Sequence, residues 1–466
     1  MDPSGTSEIA EPVSGEAEPQ AEAVQFDLFG MPVEHSSAVS AKADCHSRKP
    51  LSRTAATDDI AGQAGSPADA DADANAALEH AESRRQARAN TDRTASLWEG
   101  EAAVGNAETL PANNPKKRRS RDVVAAPPSA ELLALAANLP PQIHLGTSTW
   151  SFPGWNGIVY GDEYSNSKLS REGLSAYSAH PLLKTVSIDR SFYQALTITD
   201  YLRYAQQVPE HFRFIVKAPM TITDATVRAE RGEPMSVNPC FLNAQMAIDE
   251  FVTPCVEGLG RKAGALVFQL SPLPDQMLAQ PAVFIERLAG FLLALPPLPQ
   301  GTCYAVEIRD ASLLTPRFIR ALKMAGVRYC VGIHARMPDP LRQAAALALL
   351  DGEPAGPLIV RWSLHGGFKY EQAKAKYEPF DQLVDQDPAT RASLAEVAAR
   401  YALAGQPVVI AINNKAEGSA PLSCVELARA IIEAYARLAH ERQHGQPHEV
   451  GEPEPSPQEN PQCDPD

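Results

Sequence analysis

Between residues 143 and 414 eight short apolar runs recur, separated by stretches of helical period. They read IHLGTSTW (143–150), TVSIDRSF (185–192), RFIVKAP (213–219), GALVFQL (264–270), TCYAVEIR (302–309), RYCVGI (328–333), LIVRWSLHG (358–366) and PVVIAINN (407–414). Each is rich in β-branched or aromatic residues, which suits a strand buried on both faces. Helical period occupies 174–183, 199–208, 239–256, 282–295, 315–326, 389–405 and 424–442, with no helix assigned after the sixth run. Several of these stretches open on a capping Thr or Asp, and two close on Gly. Such an alternation predicts an α/β fold, a (β/α)8 TIM-type barrel. A doubly wound open sheet is the alternative, but no Gly-x-Gly-x-x-Gly follows the first run.

Outside this region the composition changes. Residues 1–139 are rich in Ala, Glu, Asp, Ser and Pro. Such a chain buries too little apolar surface to offset its ordering entropy, so a long disordered acidic tail is expected. Residues 443–466 read as a second, short tail, which leaves 140–442 for the barrel. The chain carries 57 Asp+Glu against 42 Lys+Arg, a formal charge of -15. That balance argues against a protein that coats nucleic acid non-specifically, while allowing a local basic cleft. One basic cluster, KKRRSR (116–121), precedes the barrel. It reads as a solvated linker, with nucleic-acid contact or localisation as the alternatives. The 7 cysteines are scattered without a C-x-x-C pair, which suits reduced thiols in a cytoplasmic protein. The N-terminus has no basic n-region or apolar h-region, and no run approaches the roughly 20 apolar residues of a membrane span.

Each proposed strand stays apolar until its C-terminal end. There the polar residues appear: Ser148, Thr149 and Trp150, then Asp189 and Arg190, Lys217, Gln269, Glu307 and Arg309, His334, His365, and Asn413 with Asn414. In a barrel these ends open on one face, where the catalytic groups of such folds sit. Lys217 follows an apolar wall and suits an anion site or a desolvated nucleophile; pairing to a carboxylate is the structural alternative. Glu307 and Arg309 share the period-2 face of one strand and can form an ion pair, or Arg309 can clamp an anion. Asp189 and Glu307 can supply an acid and a base. With His334 and His365 they could instead hold a divalent metal, though no compact metal motif is present. Trp150, Trp155, Tyr193 and Trp362 could wall a base or sugar, or simply pack in the core.

These runs resemble a known family. GTSTWSFPGWNGIVY, LKTVSIDRSFYQ, FRFIVKAPMTITD, GALVFQLSP, YAVEIRDAS, RWSLHGG and VVIAINNKAEGSAPLSCVEL occur in this order and are similar to the YecE-like family, domain of unknown function seventy-two. The resemblance spans roughly 141–440 and implies a TIM-type barrel of unestablished activity. It places Asp189, Lys217, Gln269, Glu307, Arg309, His365, Gly366, Asn413 and Asn414 at signature positions. Three departures stand out: SIDRSFYQ where the family reads closer to V-E-I-N-S-T-F-Y, Lys415 where it often has His, and GIHARMPDP without the usual Asp.

One tail segment is apolar. Gln25-Phe26-Asp27-Leu28-Phe29 resembles the peptide by which bacterial replication and repair proteins bind the DNA sliding clamp. Leu28 and Phe29 would enter a preformed pocket on the partner, with Gln25 hydrogen-bonded at its edge. The expected protein is therefore a barrel hydrolase or lyase. Glu307, Lys217, Asp189 and His365 are its candidate catalytic residues. Arg309, Gln269, Trp150, Tyr193, Asn413 and Asn414 are its candidate substrate contacts. Its substrate is anionic, phosphorylated or nucleic acid, and its cofactor, a divalent metal included, is left open. A non-catalytic anion-binding or adaptor protein is the alternative.

Overall fold

The computed structural model describes residues 122–228, 234–352, 354–365 and 370–444. Eight parallel strands close into a ring. They are β1 (Ile143–Thr147), β2 (Leu183–Ile188), β3 (Arg213–Lys217), β6 (Ala263–Gln269), β7 (Cys303–Glu307), β8 (Arg328–Ile333), β9 (Leu358–Trp362) and β10 (Val408–Ile412). Their order around the ring is β1-β10-β9-β8-β7-β6-β3-β2. All eight runs singled out in the sequence are strands of this barrel. A short antiparallel pair, β4 (Thr226–Arg228) and β5 (Pro234–Val237), is inserted after β3. Closure requires a tight seam at Gly146: a Cβ there would lie 1.8 Å from the Thr185 carbonyl oxygen, so only glycine lets β1 approach β2.

The period of two along each strand sorts residues to the inside or outside of the ring. Inside, Ile215, Ala265, Val267, Ala305, Cys330, Ile359, Val409 and Ala411 pack into one apolar plug. Small side chains dominate it because eight strands leave little room on the axis. Outside, Leu266, Phe268, Val306, Tyr329, Val360, Trp362, Ile410 and Ile412 are buried beneath the helices. Phe268, for example, meets Phe251 edge-on at 5.7 Å and Phe291 at 5.1 Å. Fully burying one such side chain contributes about 1.5–3 kcal/mol.

Three covering helices begin with the same device, a capping side chain followed by proline. Thr315 accepts from the Phe318 N–H before Pro316–Met324, Asp339 from Arg342 before Pro340–Asp351, and Asp387 from Thr390 before Pro388–Leu403. The cap satisfies an orphan amide and proline costs none at that position. The chain ends its described part in the long helix Ala420–His444.

Three differences from the sequence reading have physical causes. Pro340–Asp351 follows the sixth barrel strand, where no helix was anticipated. Its Ala/Leu-rich sequence lacks a polar face, so period alone is mute. The 239–256 stretch starts late, at Ala244, after a left-handed Leu242, and runs through a π-helical segment, Ile248–Val252. Pro254 has no N–H to donate one turn back, which loosens the ladder there. Finally, the described residues begin before the expected start of the barrel at 140. Ala130–Asn138 is a helix whose Glu131 pairs with Arg429 of the last helix at 2.5 Å.

Candidate functional site

The parity that builds the plug also builds what lies above it. Two residues beyond Ile215, Val267, Ala305 and Ile359 stand Lys217, Gln269, Glu307 and Arg361, all on the inner face at the C-terminal strand ends. Arg361 is the hub of this layer. Its Nη1 donates to Glu307 Oε2 at 2.6 Å and to Gln269 Oε1 at 2.8 Å. Its Nη2 donates to Asp189 Oδ1 and Oδ2 at 3.2 and 3.1 Å. Arg309 closes the other side, with Nη2 at 2.9 Å from Glu307 Oε1 and donating to Gln269 Oε1 at 3.0 Å. Five side chains from four strand ends, Asp189, Gln269, Glu307, Arg309 and Arg361, thus form one connected layer.

Glu307 is sealed: its side chain is 0% exposed. Burial pushes its carboxyl up. The charges of Arg361 and then Arg309, with a smaller contribution from Lys217, more than offset this and hold it below the usual carboxylate range. Burial likewise opposes the charge on Arg361, and Glu307 and Asp189 restore it, so the guanidinium stays protonated. Gly332 on β8 leaves the space Glu307 needs, since a Cβ there would sit 3.3 Å from Glu307 Cγ. The Lys217 ammonium lies 3.4 Å from the centre of the Phe192 ring, a desolvated cation–π contact.

Asp189 differs from Glu307 in one respect that matters chemically. Its side chain is 31% exposed, so it faces the opening. It accepts from the Ser187 hydroxyl at 2.5 Å as well as from Arg361. Two donors on one edge orient the carboxylate and leave its remaining lone pairs toward solvent. The Arg309 side chain is 12% exposed and also reaches the opening.

The other sequence candidates take distinct places. His365 sits beyond β9 on the same end, its backbone N–H donating to Lys415 O at 3.0 Å. His365 interacts with Asp385, a carboxyl held low chiefly by hydrogen bonds from Lys376. Tyr193 is half-buried and meets Phe192 edge-on at 5.1 Å. Trp150 is packed rather than presented: its indole N–H donates to Leu169 O at 3.1 Å and its ring abuts Tyr204 at 5.2 Å. Trp155 and Trp362 are fully buried in the core. Asn413 Oδ1 accepts from the Lys415 N–H at 3.0 Å, and Asn414 Oδ1 from the Ala420 N–H at 2.8 Å, so both shape the turn into the last helix. His334 Nδ1 accepts from the Arg336 N–H at 3.3 Å, and the Arg336 side chain pairs with Asp310 at 3.0 Å. Among the described residues no group of three or more His, Cys, Asp or Glu side chains converges as a metal site. Gly366 and the tail residues Gln25, Leu28 and Phe29 lie outside the described residues.

Sequence reasoning missed Arg361 and Ser187. The signal for Arg361 was present: it is the lone charge inside LIVRW, an otherwise apolar strand. A charge at such a position is almost never left unpaired.

A closed eight-stranded parallel barrel with its charged layer at the C-terminal strand ends is a TIM-type barrel. The chain belongs to the DUF72 family, described as "Protein of unknown function DUF72", which matches residues 144–448. Among solved structures it is similar to a DUF72 family protein from Thermotoga maritima MSB8, with 16% identity, a TM-score of 0.41, and coverage of 64% of this chain and 99% of that one. A DUF72 family protein from Enterococcus faecalis V583 gives 16% identity and a TM-score of 0.39, over 63% of this chain and 95% of that one. A comparison with curated proteins finds no match. No helix among the described residues is long and apolar enough to cross a membrane.

Proposed function

We propose that the barrel mouth is the active site of a hydrolase or lyase acting on an anionic substrate, phosphorylated or nucleic acid. The observation that carries this reading is the asymmetry of the two carboxylates in one ion-paired layer. Glu307 is sealed with both oxygens engaged, whereas Asp189 is held from behind and open in front. Asp189 then serves as the proton acceptor, and Glu307 fixes Arg361 and Arg309 rather than touching substrate. Arg309, with the field of Lys217, receives the anionic oxygens. His365 and Tyr193 border the same opening.

Asp189→Asn keeps the shape of the layer and removes the base. The expected result is a loss of turnover of about 10²–10⁴-fold in a protein that still folds, its melting temperature lowered by the lost ion pair to Arg361. The measurement is a screen of phosphoesters and damaged DNA, with and without Mn²⁺ or Zn²⁺. Full activity in the variant takes Asp189 out of the mechanism. The sealed state of Glu307 favours a second reading, a non-catalytic anion-binding protein. Phosphate binding without turnover of any tested ester selects that reading.

We propose in addition that residues 25–29 tether the barrel to the DNA sliding clamp. QFDLF is an apolar cluster in a polar tail, which suits a short docking peptide. A labelled peptide of residues 23–31 is expected to bind a bacterial clamp at roughly micromolar Kd. Binding that survives Leu28→Ala with Phe29→Ala contradicts the pocket model.

A further inference from the structure

We infer that His440 and His444, on the last turns of the helix Ala420–His444, form a surface site for a nitrogen-preferring divalent transition-metal ion. The two are four residues apart, so their side chains leave one face of the helix, one above the other. Their rings already lie together, with centroids 4.2 Å apart and planes at 46°. Two imidazole nitrogens on one tetrahedral ion stand about 3.3 Å from each other, a distance this pair reaches by ring rotation. Both rings are exposed, and neither makes a hydrogen bond among the described residues.

The end of the helix is anchored to its neighbour. Arg442 Nη1 donates to Leu403 O at 3.2 Å and Arg437 pairs with Glu396, both on the helix Pro388–Leu403. A held terminal turn loses less freedom when two of its side chains close on one ion. Charge favours a cation here too. The last carbonyls of a helix have no intrahelical donor and carry the negative end of its macrodipole. The cation one turn before the pair, Arg437, is met by two carboxylates, Glu396 and Glu441, the second at 3.1 Å.

His440-Glu441-Arg442-Gln443-His444 has the H-E-x-x-H spacing that metallopeptidases present from a helix, with the glutamate as base. In this chain the spacing serves binding rather than hydrolysis, because Glu441 is turned to Arg437. The described side chains supply two ligands, and water completes the shell. Imidazole suits Ni²⁺, Cu²⁺ and Zn²⁺, whereas Mg²⁺ and Ca²⁺ take oxygen. The helix starts beyond β10, on the mouth side, and its 25 residues run roughly 38 Å away from there. The site therefore lies far from Asp189 and Glu307 and does not depend on the function proposed for them.

The test titrates the full chain with Ni²⁺ and with Zn²⁺ by calorimetry, with Mg²⁺ as the control. The native chain is compared with His440→Gln, His444→Gln and the double variant, the remaining histidines giving all four the same background. Each single variant should weaken the tight site by about 10²-fold, since either loss breaks the chelate. The double variant should add little beyond either single one. All four proteins should melt alike without metal, because both rings are exposed. Glu441→His with His444→Gln keeps two histidines but sets them about 100° apart round the helix, so it should bind like a single variant. A native chain that binds Ni²⁺ no more tightly than the double variant overturns the inference. Loss of binding in one single variant but not in the other also overturns it, since the ion then has one histidine ligand. Native-like affinity in the rearranged pair overturns the geometry, and equal binding of Mg²⁺ overturns the nitrogen ligation.

Discussion

Arg361→Met lowers the free energy of unfolding by about 3–5 kcal/mol, the usual cost of removing one partner from a buried ion pair. The substitution fits the space but strips Glu307 Oε2 of its hydrogen bond and leaves a carboxylate with 0% exposure held by Arg309 and the weaker field of Lys217. Urea denaturation reads the change as a lower midpoint at constant m. The double variant Arg361→Met, Glu307→Gln recovers a good part of the loss, because the charge that needed a partner is gone. The pH dependence gives a second check. In the native protein the Glu307 carboxyl is held below 4.5, so its contribution is complete above the unfolded value and is lost as pH falls through the lower folded value. In Arg361→Met burial prevails, the carboxyl titrates higher, and the penalty relative to the native protein shrinks in acid. A loss under about 1 kcal/mol that does not vary with pH contradicts the coupling described for this layer.

His180 is expected to make the protein progressively less stable between pH 6.5 and about 4. Its ring is buried in the turn before β2, and Nδ1 accepts from the Leu182 N–H at 3.3 Å. An accepting Nδ1 belongs to the neutral ring with its one proton on Nε2, and burial holds the pKa down to about 4 from 6.5. Between those values the unfolded chain takes up the proton and the folded one does not. The contribution is therefore complete above pH 6.5 and is lost as pH falls through about 4. A shift of this size corresponds to about 3 kcal/mol. His180→Asn keeps an acceptor and removes the titration, so its stability profile should be flatter over that window. His144, also lowered by burial, sustains a residual slope in both proteins. Parallel profiles for the native protein and His180→Asn contradict a neutral buried His180.

The strands were legible because each meets a severe requirement. A strand covered on both faces must be apolar throughout, and only eight segments of this chain satisfy that with helical period between them. Much of the charged layer was legible for a related reason. Asp189, Lys217, Gln269, Glu307 and Arg309 interrupt apolar runs at their ends, where a barrel has its opening. Arg361 was overlooked because it lies within a run rather than at its close. Residues 340–351 were overlooked because a helix apolar on all sides has no period to read. The caps carried a signal that period did not: Thr315-Pro316 heads an expected helix, while Asp339-Pro340 and Asp387-Pro388 mark two starts that the sequence reading did not use.

Parity along the strand, a property of consecutive residues, was enough to put Glu307 and Arg309 on one face. It could not state how deep each would lie. That Glu307 is sealed while Asp189 meets water, and that Arg361 joins residues 172 positions apart, follow from closure of the ring. Burial and pairing depend on what neighbouring strands bring alongside, and those neighbours are remote in sequence. The order of residues determined most of the groups at the mouth; their packing decided which carboxylate meets solvent.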